Sequence, residues 1–284
     1  MRREAISGLI SSKKAFILSG MSSYRLESVR RQYEKYPYPA YDWSDVRAAS
    51  NWLREREILA SEVVDIGCGT GLWSIAFATS GSSVTAVDFS KASLTQAEKM
   101  ARQFGVGIEL HHADLFGFET SRRYGLVFCN GVLHHTANAR AGFHKIAGLV
   151  KDGGVLVTSF YNRLSPFRLA KLVVRGFGGE NIETRKLVAK QLVGFPLCKT
   201  LLTFAGRSQI GPISSTRDYV SKEENVVDLL CHAHTSYHTL WEVTHWYREE
   251  GFKLITTYPS SSPLAAILPN LIFFVGRKPL PLSE

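Results

Sequence analysis

Between residues 62 and 161 short apolar runs alternate with helical patterns, and this rhythm constrains the fold more than any other feature of the chain. The runs are "EVVDI" (62–66), "SVTAVD" (83–88), "GIELHHAD" (107–114), "YGLVFCN" (124–130) and "VLVTSFY" (155–161). Helical spacing covers 72–79, then "KASLTQAEKMARQF" with Ser90 as its N-cap, then "ARAGFHKIAGLV". The last of these closes on Lys151, Asp152, Gly153 and Gly154, a turn signal. Strands alternating with helices predict parallel pairing and helices on both faces of one sheet. The rhythm breaks at 162 and resumes with the helix "LWEVTHWYREEG", followed by "FKLITTYP" (252–259) and "NLIFFVGRK" (270–278). The link at 260–269 is too short for a helical crossover, so these two runs should pair antiparallel. The expectation is an α/β chain with a doubly wound seven-stranded sheet, the last strand antiparallel. A helical insertion (162–238) follows strand five.

Ahead of the sheet, "SSYRLESVRRQYEKY" reads as a helix that stops before Pro37. "DWSDVRAASNWLREREIL" reads as a second, with Trp43, Val46, Trp52 and Leu53 as its apolar members. The predicted division is therefore 1–58 as tail and capping helices, 59–161 with 239–284 as the sheet domain, and 162–238 as a basic helical cap. Residues 1–20 read as a tail rather than a signal peptide, and Met21 offers a second start. No apolar run reaches the roughly 18 uncharged residues of a membrane span. The cysteines at 68, 129, 198 and 231 form no CxxC pair, which fits reduced thiols in a cytoplasmic protein. Net charge is +9, and residues 161–220 hold ten Lys and Arg against three acids, a net +7. Such a segment can attract RNA, an anionic lipid surface or an acidic substrate; a solvated helix face is the plainer alternative.

The stretch "VVDIGCGTG" (63–71) places three glycines directly behind the first strand. A glycine turn there lets backbone approach a ligand and presents a helix N-terminus, a place that suits a nucleotide cofactor. The spacing lacks the final glycine of GxGxxG, which argues against a dinucleotide. Asp88 ends the second strand, 17 residues past Gly71, where a carboxylate can accept both ribose hydroxyls; the alternative is a helix-capping turn residue. Asp114, with Leu115 and Phe116, can flank an adenine, or be an ordinary turn aspartate.

Taken in order, "VVDIGCGTG", "VTAVDFS", "HHADL", "LVFCNGVLHHT" and "LVKDGGVLVTSFYN" resemble the successive motifs of class I S-adenosylmethionine-dependent methyltransferases. "NGVLHHT" most resembles the branch that methylates small molecules. The resemblance implies a Rossmann-like fold and a set of cofactor contacts. Asp65, Gly67, Gly69 and Gly71 would form the loop around the methionine and ribose. Asp88 would bind the ribose hydroxyls with Phe89 beside the adenine. Asp114 and Leu115 would contact the adenine, and Asn130 and Gly131 would line the floor near the sulfonium. Tyr33, with Tyr36 and Tyr38, is a candidate for a lid over the cofactor.

Methyl transfer from a sulfonium mainly requires positioning and exclusion of water, with a proton removed from an oxygen or carbon acceptor. His134 and His135 follow strand four, and His135 is the favoured substrate-side group. A second cluster, "CHAHTSYHTLWEV" (231–243), offers Tyr237 and His238. His234 and His238 are four apart, but the chain lacks the glutamate of HExxH, and no metal is expected. A purely structural histidine cluster stays open beside the catalytic one. The expected acceptor is a small or lipid-like molecule, with contact to an anionic membrane surface. Nucleic acid as partner, in an RNA methyltransferase, and a non-catalytic partner protein on the same fold are the alternatives.

Overall fold

The computed structural model describes residues 41–165, 167–179, 181–196, 198, 230–231, 234–258 and 271–281, together with Glu27, Arg31 and Glu34. The elements run α1 (Trp43–Glu55), β1 (Glu62–Ile66), α2 (Leu72–Thr79), β2 (Ser83–Asp88), α3 (Lys91–Gln103), β3 (Glu109–His112) and β4 (Tyr124–Cys129). A 3-10 turn (Leu133–His135), α4 (Ala139–Ala147) and β5 (Val150–Tyr161) follow. The insertion contributes α5 (Phe167–Gly178) and α6 (Ile182–Gly194); α7 (Leu240–Glu249), β6 (Lys253–Tyr258) and β7 (Leu271–Arg277) close the chain.

The seven strands form one sheet in the order β3-β2-β1-β4-β5-β7-β6. All pairs from β3 to β5 are parallel, and β7 runs antiparallel to both β5 and β6. Strand residues alternate between faces, and helices cover both, so the central strands are apolar throughout. Val63, Phe128, Val157 and Phe273 face a core built with α1 and α2. Val64, Val127, Leu156 and Phe274 face a second core built with α4 and α7. Tyr247 of α7 is fully buried there, its hydroxyl 2.9 Å from that of Thr158.

Three elements depart from the sequence expectation. β3 is shorter than 107–114 because only Glu109–His112 finds partners on β2. β5 begins at Val150, so the glycine pair expected as a turn lies inside a strand. Gly153 has φ +76°, and the pairing shifts register opposite Gly125, so the pair forms a bulge rather than a turn. The helix α1 is capped by Asp42 through a capping box with Asp45, and it buries Val46, Trp52 and Leu53. Trp43 instead stays 57% exposed at the helix start, its ring 4.2 Å from that of Phe104. The helix expected over 22–36 lies outside the described residues except for Glu27, Arg31 and Glu34, which are helical.

Candidate functional site

The site forms at the carboxyl ends of β1, β2, β4 and β5, where the strand order reverses between β1 and β4. Open α/β sheets leave a crevice at that point. The three loop glycines do different work. Gly67 (φ +72°) lies so close to Val132 that a Cβ would overlap that side chain. Gly71 (φ +91°) starts α2, and a Cβ there would meet the Ala97 Cβ at 3.0 Å. Gly69 (φ +54°) alone of the three faces open space, with nothing within 4 Å of an added Cβ. The loop is packed on two sides and bare where a ligand would approach.

Asp88 ties this loop to the next helix. Its Oδ2 accepts from the Gly69 N–H at 2.9 Å and its Oδ1 from the Ser90 N–H at 2.8 Å. Burial pushes its pKa up, against these hydrogen bonds. A carboxylate accepts about four hydrogen bonds, and the backbone of Phe89 joins Gly69 and Ser90 in supplying them, so acceptor capacity remains for a ribose hydroxyl. Asp88 is thus the turn residue of the alternative assignment and still suited to a ribose. Beside it, Glu34 accepts from the Lys91 N–H at 3.0 Å, which brings Glu34 to the crevice edge. Tyr33, Tyr36 and Tyr38 lie outside the described residues.

Asp65 is buried and accepts from the Ser74 hydroxyl at 2.6 Å. Desolvation raises its pKa to about 7. Phe89 is half-buried, and its carbonyl accepts from His112 Nε2–H at 3.1 Å. Asp114 Oδ1 accepts from the Phe116 and Gly117 N–H groups at 2.7 and 3.0 Å, a local turn, while Leu115 is buried beside Leu133 and Phe143. Asn130 and Gly131 are held from below by Ser159: its hydroxyl donates to Asn130 Oδ1 at 2.7 Å and accepts from the Gly131 N–H at 2.8 Å. Burial pushes the Cys68 thiol pKa well up, leaving it protonated.

On the acceptor side the segment 234–238 lies across the ends of β4 and β5. The Ser236 N–H donates to the His134 carbonyl at 2.7 Å, and the His238 N–H to the Tyr161 carbonyl at 2.9 Å. His135, expected at an open mouth, is buried, and its Nδ1–H donates to the His234 carbonyl at 2.8 Å. A carbonyl only accepts, so Nε2 carries the lone pair. Burial lowers the His135 pKa to about 3. His134 is fully buried, 4.1 Å from the Tyr161 ring, and neither ring nitrogen has a hydrogen-bond partner among the described residues. Burial lowers its pKa well below the ordinary value, so both imidazoles are neutral. Tyr237 is raised to about 12 by burial and is a hydroxyl donor at neutral pH.

His238 has both nitrogens engaged. Nδ1 lies 3.0 Å from Glu242 Oε1, and Nε2 lies 2.9 Å from the Ser236 hydroxyl. Burial lowers its pKa and Glu242 opposes the shift. With Nδ1–H on the carboxylate, Ser236 donates to Nε2. When His238 is protonated, Ser236 accepts from it and can turn its own proton to the His134 carbonyl, 3.2 Å away. These contacts leave His238 no nitrogen for a metal shared with His234. Among the described residues no three His, Cys, Asp or Glu side chains gather around one ion position.

Residues 63–154 match the family model described as "Methyltransferase domain". From β1 into β5 this chain is therefore similar to methyltransferase domains. It is 34% identical over 116 residues to a ubiquinone biosynthesis O-methyltransferase of Azotobacter vinelandii, an overlap of 40% of this chain and 50% of the relative. The ubiquinone biosynthesis O-methyltransferase of Pseudomonas aeruginosa is 34% identical over 128 residues, 44% of this chain and 54% of the relative. The chain thus spans about half the length of the curated relatives it matches. The N-methyltransferase NodS of Bradyrhizobium japonicum, crystallised with S-adenosylhomocysteine, shares the fold at TM-score 0.52 and 12% identity, covering 89% of this chain and 99% of its own. An S-adenosylmethionine-dependent methyltransferase of Clostridium acetobutylicum does so at TM-score 0.51 and 11% identity, covering 82% of this chain and 92% of its own.

Around the methyltransferase domain's crevice stand residues that sequence reasoning passed over. Ser159 and Tyr161 sit at the end of β5, where strand position alone marks them. Glu242, four residues past His238 at a helix start, carries an i,i+4 signal that went unused. Lys171 of α5 is buried, its ammonium 3.5 Å from the centre of the Tyr161 ring and 5.8 Å from that of Tyr237. No sequence pattern distinguishes such a lysine from its exposed neighbours.

Proposed function

We propose that this chain transfers a methyl group from S-adenosylmethionine to a small-molecule or lipid-like acceptor. The cofactor, when bound, supplies a methyl group already activated on a sulfonium. The observation that carries this reading is the pairing of the bare Gly69 face with the Asp88 carboxylate tied to it, which together suit a ribose and its attached chain. Asp65, Gly67 and Gly71 shape that loop, and Asn130 and Gly131 form its floor. Phe89, Asp114 and Leu115 border the adenine side. Tyr33 belongs to a lid whose neighbour Glu34 already reaches Lys91.

Residues 162–238 act as the acceptor cap in this reading, and Tyr237 donates a hydrogen bond to the acceptor. Proton removal runs through Ser236 rather than directly to His238. An acceptor hydroxyl passes its proton to Ser236 Oγ as the Ser236 proton moves to His238 Nε2, and Glu242 stabilises the imidazolium. His135 keeps a lone pair on Nε2 but, at a pKa of about 3, serves better as an oriented acceptor than as the base. Peripheral contact with an anionic membrane surface and a cytoplasmic location complete the proposal. Among the described residues no helix is long and apolar enough to cross a membrane.

Calorimetric titration with S-adenosylmethionine and S-adenosylhomocysteine tests it. Micromolar binding of both by the wild type, and a loss of at least about 100-fold in Asp88→Ala, is the expected result, because the charged acceptor for the ribose and the partner that fixes the Gly69 N–H are both gone. Undiminished affinity in the variant removes Asp88 from the cofactor site.

A further inference from the structure

The helix α5 carries apolar residues on both its inner and its outer side. Toward the body of the protein it turns Val174, fully buried, and Lys171, which is 7% exposed. Toward solvent it turns Leu169, Leu172 and Phe177, which are 67%, 53% and 78% exposed. At 100° per residue, Leu172, Leu169 and Phe177 follow one another around an arc of about 140°. The exposed Arg168 and Arg175 are seven residues apart, so they share one line along the helix, at the edge of that arc beside Leu172. The neighbouring α6 adds exposed Leu187 and Lys190, and Phe195 is exposed at its end. Single exposed leucines are ordinary on a protein surface, but a continuous apolar arc with a cationic edge is not.

We infer that the outer face of α5, with Leu187 and Phe195, is the surface by which this protein docks on a bilayer of anionic phospholipid. The inference rests on the peripheral-contact reading above and assigns it a face and a partner. Charge complementarity selects the partner. Leu169, Leu172 and Phe177 enter the boundary between headgroups and acyl chains. Arg168 and Arg175 sit at the edge of the arc; the Arg168 guanidinium, 5.5 Å from the centre of the Tyr237 ring in the undocked protein, exchanges that contact for lipid phosphate on docking. The net +7 of residues 161–220 adds attraction over the whole segment. A second copy is the poorer occupant, since a two-fold contact that packs α5 antiparallel on its equivalent through this face would set each cationic edge close to its own equivalent. The same helix carries Lys171 on its inner side, against Tyr161 at the acceptor end of the sheet. A docked α5 therefore has the bilayer on one side and the acceptor cleft on the other, a direct route for a lipid-like acceptor.

The test is flotation of the full chain with vesicles of phosphatidylcholine containing about one third phosphatidylglycerol, and with phosphatidylcholine alone. The wild type should float with the anionic vesicles, and roughly tenfold less with the neutral ones or in high salt. The triple variant Leu169→Ser, Leu172→Ser, Phe177→Ser should lose roughly tenfold or more of that binding while keeping its circular dichroism and its affinity for S-adenosylhomocysteine. Should the triple variant not fold, the pair Arg168→Gln, Arg175→Gln carries the test: it should float less and show a smaller salt dependence. A wild type that stays unbound at low salt, or a folded triple variant that floats like the wild type, overturns the assignment. So does a wild-type dimer by light scattering that the triple variant abolishes, which gives the face to a second copy. A non-floating wild type whose triple variant melts markedly lower gives it to another segment of this chain. Flotation with no cofactor binding would remove the methyltransferase proposal and leave this surface standing.

Discussion

At the residue scale the glycine loop separates two demands that look alike in sequence. Gly67 and Gly69 both have positive φ, but only Gly67 has a neighbour, Val132, against it. Gly67→Ala should cost about 2 kcal/mol or more in unfolding free energy, from backbone strain and overlap together. Gly69→Ala should cost only about 1 kcal/mol, the strain alone, yet weaken cofactor binding roughly tenfold by placing a methyl on the bare face. Denaturant melts and calorimetric titration of the two variants check this contrast. The Ser236, His238 and Glu242 row makes a second claim at this scale. His238 has a pKa below its ordinary value, so it is neutral and able to take a proton at pH 7. Turnover should fall as pH drops through that value. Glu242→Gln removes the partner that raises it, so the acid limb should move to lower pH while the maximal rate falls roughly tenfold or more. An unmoved limb in a pH–rate profile would separate Glu242 from the relay.

At the element scale, apolar periodicity located α1 but did not say which tryptophan it buries. Trp52 lies among Trp73, Tyr258 and Phe273 at centroid distances of 5.5, 5.7 and 5.5 Å. Trp43 is the first residue of α1 and stays more than half exposed, with its ring tilted against that of Phe104. Trp52→Ala should destabilise the protein by about 3–5 kcal/mol and Trp43→Ala by about 1 kcal/mol or less. Chemical denaturation of both variants distinguishes them. The bulge in β5 has a similar origin. Lys151 to Gly154 has the composition of a turn, and the backbone does adopt a positive φ at Gly153. The N–H of Gly153 donates to the Lys278 carbonyl at 3.1 Å, so the chain beyond β7 converts a local turn into a stretch of strand.

At the scale of the whole molecule, packing helices on both faces of the sheet buries Asp65 beneath the loop it anchors. Its pKa of about 7 lies above the 3.8 of an ordinary aspartate, so the folded state holds this proton more tightly than the unfolded chain. Stability from this group is complete below pH 3.8 and is lost as pH rises to about 7. Without cofactor, Asp65→Asn should therefore melt higher than the wild type at pH 8, and the difference should shrink toward pH 5. Thermal melts by circular dichroism across that range check the sign.

The sequence by itself determined the strand and helix alternation, the reversed last strand and the positions of the loop glycines and Asp88. These follow from periodicity, turn length and backbone conformation, all local properties. Only the tertiary structure decided the acceptor side. Whether His135 faces a cleft or a carbonyl, whether His238 meets an acceptor or Ser236, and whether Lys171 points inward depends on how residues 234–238 and α5 lie at the ends of β4 and β5. Ser236 meets His134 about a hundred residues away, and Lys171 meets Tyr161 across the turn between β5 and α5; periodicity carries no record of either contact.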